Sequence, residues 1–92
     1  MNAPTAQDVE HELAAYLKQT AAERRRPLLS LGPDDHFFES GILDSLSLVD
    51  FVAFLERRYA IEIPGADISP DNMGSLRIVV DYVQRRLAAV RQ

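Results

Sequence analysis

The sequence predicts an all-α fold, a small four-helix bundle of three main helices and one short helix, with a long loop between helices 1 and 2. Apolar residues recur at three- and four-residue intervals in three separate stretches, as on the buried face of a helix. Proline and glycine gather between those stretches, where they stop helices. No segment alternates apolar and polar residues long enough to make a convincing strand. Ninety-two residues suffice for one core and not two, so residues 1–92 are read as a single domain.

The first helix is expected to start near Thr5, where Thr5-Ala6-Gln7-Asp8 resembles a capping box with Asp in place of Glu. Val9, Leu13, Tyr16 and Leu17 supply its apolar face, and Glu23-Arg24-Arg25-Arg26 ends it as a solvated terminus before Pro27. Residues 27–44 form a long connection broken by Pro27, Gly32, Pro33 and Gly41. Its Leu28, Leu29, Leu31, Phe37, Phe38, Ile42 and Leu43 are too many apolar groups for a disordered segment, so the loop is expected to be pinned to the core.

The second helix runs from about Ser45 to Tyr59, with Leu48, Phe51, Val52, Leu55 and Tyr59 on one stripe. Leu46, Asp50, Ala53, Phe54 and Arg57 lie on the other side, and Leu46 and Phe54 are apolar where a solvated face would be polar. Ile61-Glu62-Ile63-Pro64 leaves in extended form, since a residue before proline avoids helical angles. Ser69-Pro70-Asp71-Asn72-Met73 reads as one short helical turn with Ser69 as cap and Pro70 first. The last helix runs from about Ser75 to Ala89, with Leu76, Val79, Val80, Val83 and Leu87 inward.

Composition excludes several functions. An apolar fraction of 47% and a charged fraction of 26% suit a soluble globular chain. No apolar run approaches the roughly 20 residues of a membrane span, and Met1-Asn2-Ala3-Pro4 lacks a secretory pattern, so a cytoplasmic protein without membrane insertion is expected. The lack of cysteine removes disulfides, thiolate metal sites and cysteine nucleophiles together. His11 and His36 have no metal-ligand spacing, and no metal is expected. The net charge is −4, and between Asp34 and Asp50 stand five acids (Asp34, Asp35, Glu39, Asp44, Asp50) with no Lys or Arg. Nucleic acid, which needs concentrated positive charge, is not an expected partner.

The residues Gly41-Ile42-Leu43-Asp44-Ser45-Leu46 place a serine where an acidic loop turns into an apolar-periodic helix. Ser45 there either caps the helix or is exposed for modification by another enzyme. Catalysis by Ser45 itself would need a base and an oxyanion hole. No Gly-x-Ser-x-Gly elbow surrounds it, and His36 has no acid placed to orient it, so the chain is not expected to be an enzyme.

The run Asp34-Asp35-His36-Phe37-Phe38-Glu39-Ser40-Gly41-Ile42-Leu43-Asp44-Ser45-Leu46 resembles the attachment site of acyl and peptidyl carrier proteins. The resemblance continues through Leu55 to Pro64 and closes with Ile78-Val79-Val80-Asp81-Tyr82-Val83. It implies that Ser45 accepts 4′-phosphopantetheine from coenzyme A inside a separate phosphopantetheinyl transferase, with Asp44 and Leu46 flanking the attachment point. A phosphodiester near a helix N-terminus is favourable, because free N–H groups and the dipole both favour an anion. The arm then carries a thioester on a flexible tether, and delivery depends on effective concentration.

The same resemblance implies docking through Asp44, Leu46, Asp50, Ala53, Phe54 and Arg57, with Phe54 as an aromatic anchor off the core stripe. Ser47, Arg57 and Arg58 stand where carriers of bacterial fatty-acid synthesis usually hold acids, so these positions are expected to set partner choice. The Gly-Ile-Leu-Asp-Ser form looks closer to freestanding aminoacyl or D-alanyl carriers. The expected function is therefore a monomeric carrier of an activated amino acid or other small acyl group. Its partners would be an adenylating acyl or aminoacyl ligase and a downstream acyl-accepting enzyme. A fatty-acid or polyketide acyl carrier is the alternative within the family. An unmodified helical interaction module, with Asp44-Ser45 only a cap, is the alternative outside it.

Overall fold

A computed structural model of the chain describes residues 4–28 and 30–90; Met1 to Ala3, read above for a leader pattern, and the loop residue Leu29 lie outside them. Among the described residues four α-helices follow in order: α1 (Ala6–Glu23), α2 (Ser45–Tyr59), α3 (Pro70–Met73) and α4 (Leu76–Val90). α4 is the hub, packing on each of the other three. The fold is the expected small helical bundle.

Each helix begins and ends for a local reason. At α1 the Thr5 hydroxyl accepts the Asp8 N–H at 3.0 Å while the Asp8 carboxylate accepts the Thr5 N–H at 3.1 Å, the predicted capping box. Its far end closes in a Schellman turn. Arg25 takes left-handed angles (φ 61°), its N–H donates to the Ala22 carbonyl, and the Arg26 N–H donates to the Ala21 carbonyl at 2.8 Å. α2 ends at Ala60, also left-handed at φ 53°. Beyond it Ile61 and Ile63 turn inward, and the Glu56 carboxylate accepts the Ile63 N–H at 3.0 Å. A 3-10 turn at Gly65–Asp67 leads into α3.

Ser69 precedes α3 as expected, but its side chain makes no capping hydrogen bond. Pro70 has no N–H to offer, and the Asn72 N–H already donates to the Ser69 carbonyl at 3.1 Å. At α4 the cap is real: the buried Ser75 hydroxyl accepts the Ile78 N–H at 3.3 Å.

The core joins Val9, Leu13 and Leu17 of α1, Phe51, Leu55 and Tyr59 of α2, and Val79, Tyr82 and Val83 of α4. Full burial of side chains of this size stabilises by about 1.5–3 kcal/mol each. Two tyrosine hydroxyls reach carboxylates at its edge, Tyr59 to Glu12 and Tyr82 to Asp67, both at 2.7 Å.

The long loop belongs to this core. Phe37 and Leu43 are buried, and Leu28, Leu31, Phe38 and Ile42 pack against it. Backbone bonds tie the loop to the start of α4: the Phe37 N–H donates to the Gly74 carbonyl at 2.7 Å and the Arg77 N–H to the Pro33 carbonyl at 2.9 Å. A side chain at Gly74 would put its Cβ 2.4 Å from the Pro70 carbonyl, so only glycine lets α3 and α4 meet this closely.

The acidic run from Asp34 to Asp50 proves less bare than its composition suggests. Asp34 makes a two-pronged pair with Arg77 at 2.7 and 3.1 Å, and Asp50 lies 3.5 Å from Arg24. Both cations come from elements distant in sequence.

Candidate functional site

The site is built where the loop enters α2. Gly41 takes φ +80°, a left-handed turn that glycine adopts without strain. Leu43 then plugs the core, and its N–H donates to the Phe37 carbonyl at 3.0 Å. Asp44 follows with extended angles (φ −119°, ψ −173°) and caps the helix.

The capping box joins Asp44 to Ser47. The Asp44 carboxylate accepts the Ser47 N–H at 2.9 Å, and the Ser47 hydroxyl accepts the Asp44 N–H at 2.8 Å. The Ser47 N–H and hydroxyl together hold the Asp44 carboxyl below the usual carboxylate range. Ser45 stands between them as the first helical residue, exposed, and among the described residues no hydrogen bond engages its hydroxyl. Of the two residues of the Asp-Ser junction, Asp44 makes the cap and the Ser45 side chain stands exposed.

Around Ser45 the exposed face of α2 is apolar. Leu46 is 78% and Val49 66% exposed, one turn apart on the same side. Sequence reasoning named Leu46 and missed Val49, although its spacing from Leu46 and its place off the Leu48–Phe51–Leu55 stripe were legible. Asp50 and Arg57 are exposed and Ala53 is half-buried, so all three border this face.

Three residues expected to serve docking or partner choice make contacts within the chain. Phe54 is half-buried, its ring stacked on Tyr16 of α1 with centroids 4.1 Å apart. Ser47 is buried, because its hydroxyl completes the cap. Arg58 turns to α1, where it pairs with Glu12 and lies over the Tyr59 ring. His36 is likewise held within its own loop: its Nδ1 accepts the Glu39 N–H at 3.2 Å and its ring meets Phe38 edge-on. Among the described residues no cluster of His, Asp or Glu could hold a metal ion, and no helix is long and apolar enough to cross a membrane.

The site has the parts to hold a covalent anion. It offers an exposed, unengaged hydroxyl at the first position of a fifteen-residue helix, whose N-terminal N–H groups and dipole favour negative charge.

Known proteins resemble this chain in sequence and fold. The family described as phosphopantetheine attachment site matches residues 15–83. The D-alanyl carrier protein of Leuconostoc citreum (strain KM20) is 37% identical over 51 residues, which are 55% of this chain and 65% of that protein. The D-alanyl carrier protein of Streptococcus sanguinis (strain SK36) is 30% identical over 50 residues, 54% of this chain and 63% of that protein. The chain thus spans just under two thirds of the curated relatives it matches. Among solved structures, an acyl carrier protein from Thermotoga maritima superposes with a TM-score of 0.66 and 24% identity, covering 88% of this chain and 93% of that one, a likeness of fold.

Proposed function

This chain belongs to the phosphopantetheine attachment-site family, with 4′-phosphopantetheine as its covalent group, and from that premise we propose that Ser45 holds the group and that the chain carries an activated amino acid or other small acyl unit. The observation that carries the assignment is the division of labour at the start of α2: Asp44 satisfies the helix end, which leaves the Ser45 hydroxyl exposed and unbonded. When bound, the group supplies a terminal thiol on which an acyl unit rides as a thioester.

The residues of the chain anchor and present. Ser45 Oγ forms the bond to phosphorus inside a phosphopantetheinyl transferase, which provides the base, while adenosine 3′,5′-bisphosphate leaves from coenzyme A. The N-terminal N–H groups of α2 stabilise the resulting phosphodiester. Leu46 and Val49, bordered by Asp50, Ala53 and Arg57, form the surface that meets partner enzymes. These are the transferase, an adenylating ligase and a downstream acceptor, in the cytoplasm. Catalysis belongs to those partners. A small amino acid is favoured as cargo because the matched relatives are D-alanyl carrier proteins.

Intact mass spectrometry tests the anchor. Incubation with coenzyme A and a broad-specificity transferase adds one phosphopantetheine to the wild type and none to Ser45→Ala. A wild type that stays unmodified with several transferases, while a control carrier is loaded, would refute the assignment.

A further inference from the structure

The outward side of α2 carries one line of side chains, Leu46, Asp50, Ala53 and Arg57, at spacings of four, three and four residues, with Val49 beside it. Leu46 and Arg57 end this line three turns apart, about 16 Å along the helix axis. The Leu46 end is apolar and open to water, and the other end is a guanidinium.

The chain already answers most charges of this face. Asp50 lies 3.5 Å from Arg24 of α1. The Asp44 carboxylate accepts the Ser47 N–H, and Arg24 and Arg26 line a cleft with that turn. Toward the end of α2 the Glu56 carboxylate accepts the Ile63 N–H, and Arg58 pairs with Glu12. Arg57 differs: it is exposed, and among the described residues no hydrogen bond or ion pair engages its guanidinium. The Tyr16 hydroxyl feels Asp50, Arg24, Arg57 and, least, Glu23, which puts Arg57 on the same side as the Arg24–Asp50 pair. The helix dipole favours a cation in the last turn, and Arg58 already supplies one there.

We propose that Arg57 selects the partner by charge: the ligase that seats Leu46 and Val49 in an apolar socket presents a carboxylate to Arg57, about 16 Å along α2 from Leu46. The inference rests on the docking surface and the small-acyl reading above, and adds to them the sign of the partner's charge. A guanidinium meets a carboxylate with two parallel N–H donors, so the pair fixes orientation as well as sign. An apolar contact at one end of the line and a directional polar one at the other set both the place and the rotation of α2 on its partner. Asp50 stands between them, but Arg24 offsets its charge, so it opposes an acidic surface less than a bare acid would. Charges at the edge of an interface act on encounter and on rejection of wrong partners more than on final affinity. An enzyme that is basic at this place meets Arg57 with like charge and is turned away.

The test uses the full chain, loaded with its arm by a broad-specificity transferase and checked by intact mass, and the adenylating ligase that charges it, found by thioester mass among candidate ligases. Initial rates give kcat and KM for wild type, R57Q, R57E and, as a control, R58Q, with circular dichroism verifying that each is folded. At low salt R57E raises KM about tenfold or more with kcat unchanged, R57Q raises it less, and R58Q leaves it as in wild type. The gap between wild type and R57E closes as salt rises, and replacing an acid on the ligase surface by lysine restores charging of R57E. Equal KM for wild type and R57E, or a difference that salt does not reduce, overturns the proposal and leaves the role of Ser45 intact. Binding of wild type but not R57E to phosphatidylglycerol vesicles, with KM for the ligase unmoved, overturns it in favour of an anionic lipid surface. A wild type that takes up no arm refutes the assignment of Ser45, and an arm that no ligase charges refutes the small-acyl reading and this proposal with it.

Discussion

The sharpest prediction concerns which residue of the Asp-Ser junction holds the helix. Replacing Asp44 by alanine removes the carboxylate that accepts the Ser47 N–H at 2.9 Å and orphans the reciprocal arrangement. Loss of such an N-cap costs about 1 kcal/mol, within a range of about 0.5–2. In a domain of this size that lowers Tm by about 4–8 °C per kcal/mol. Ser47→Ala removes the acceptor of the Asp44 N–H at 2.8 Å and costs about 0.5–1.5 kcal/mol, the net worth of one hydrogen bond. The two losses are not additive, because they dismantle one box. Ser45→Ala touches neither bond and stays within about 0.5 kcal/mol of wild type. Asp44→Asn keeps a capping oxygen and stays close to wild type. Urea and thermal denaturation followed by circular dichroism measure all four. The pH dependence has a fixed sign: the folded carboxyl of Asp44 lies below its ordinary value, so its contribution is complete above about pH 4 and lost as pH falls through the folded value. If Ser45→Ala loses as much stability as Asp44→Ala, the serine is the cap and the division of roles is wrong.

Three further predictions concern the tyrosines, the proposed docking face and the Tyr16–Phe54 stack. All three tyrosines of the chain (Tyr16, Tyr59 and Tyr82) are held above the ordinary pKa of 10.0, each chiefly by burial, with Glu12 adding to the shift at Tyr59 and Asp67 adding at Tyr82, which is pushed up to about 12. Their protonated forms therefore stabilise the fold below pH 10, and that contribution is lost as pH rises through the folded values. Absorbance at 295 nm should show Tyr59 and Tyr82 ionising well above pH 10 in the folded protein; ionisation of either near pH 10 contradicts the burial. On α2, Val49→Glu should leave stability within about 0.5 kcal/mol and lower kcat/KM for loading by the cognate ligase. Phe54→Ala should instead destabilise, losing the Tyr16 stack worth about 0.5–1.5 kcal/mol beyond its burial. Unaltered loading of Val49→Glu removes that residue from the interface.

Much of this molecule was legible in its residues. Thr5 and Asp8 announced the first helix, and the limits Ser45 and Tyr59 follow from the acidic junction before and the Ile-x-Ile-Pro exit after. The apolar content of residues 27–44 foretold a loop pinned to the core. What periodicity could not reveal was pairing between distant elements. Phe54 lies off the stripe of α2, yet Tyr16 covers it from α1, and Arg58 looked free until Glu12 met it. The capping role of Ser47 was hidden for a local reason: a serine in the first turn suits either solvent or a reciprocal cap, and only the geometry of Asp44 decides.

The hydrogen bond from the Phe37 N–H to the Gly74 carbonyl gives the entry to α2 a remote foundation. Gly74 holds Phe37, the Phe37 carbonyl accepts the Leu43 N–H, and Leu43 adjoins the residue that caps α2. The start of α2, and with it Ser45, is therefore positioned from the junction of α3 and α4 and not from α2 alone. Substitutions near that junction would shift Ser45 without touching it, which gives evolution a lever on the geometry of the proposed anchor that leaves Ser45 and the proposed docking face of α2 unchanged in sequence.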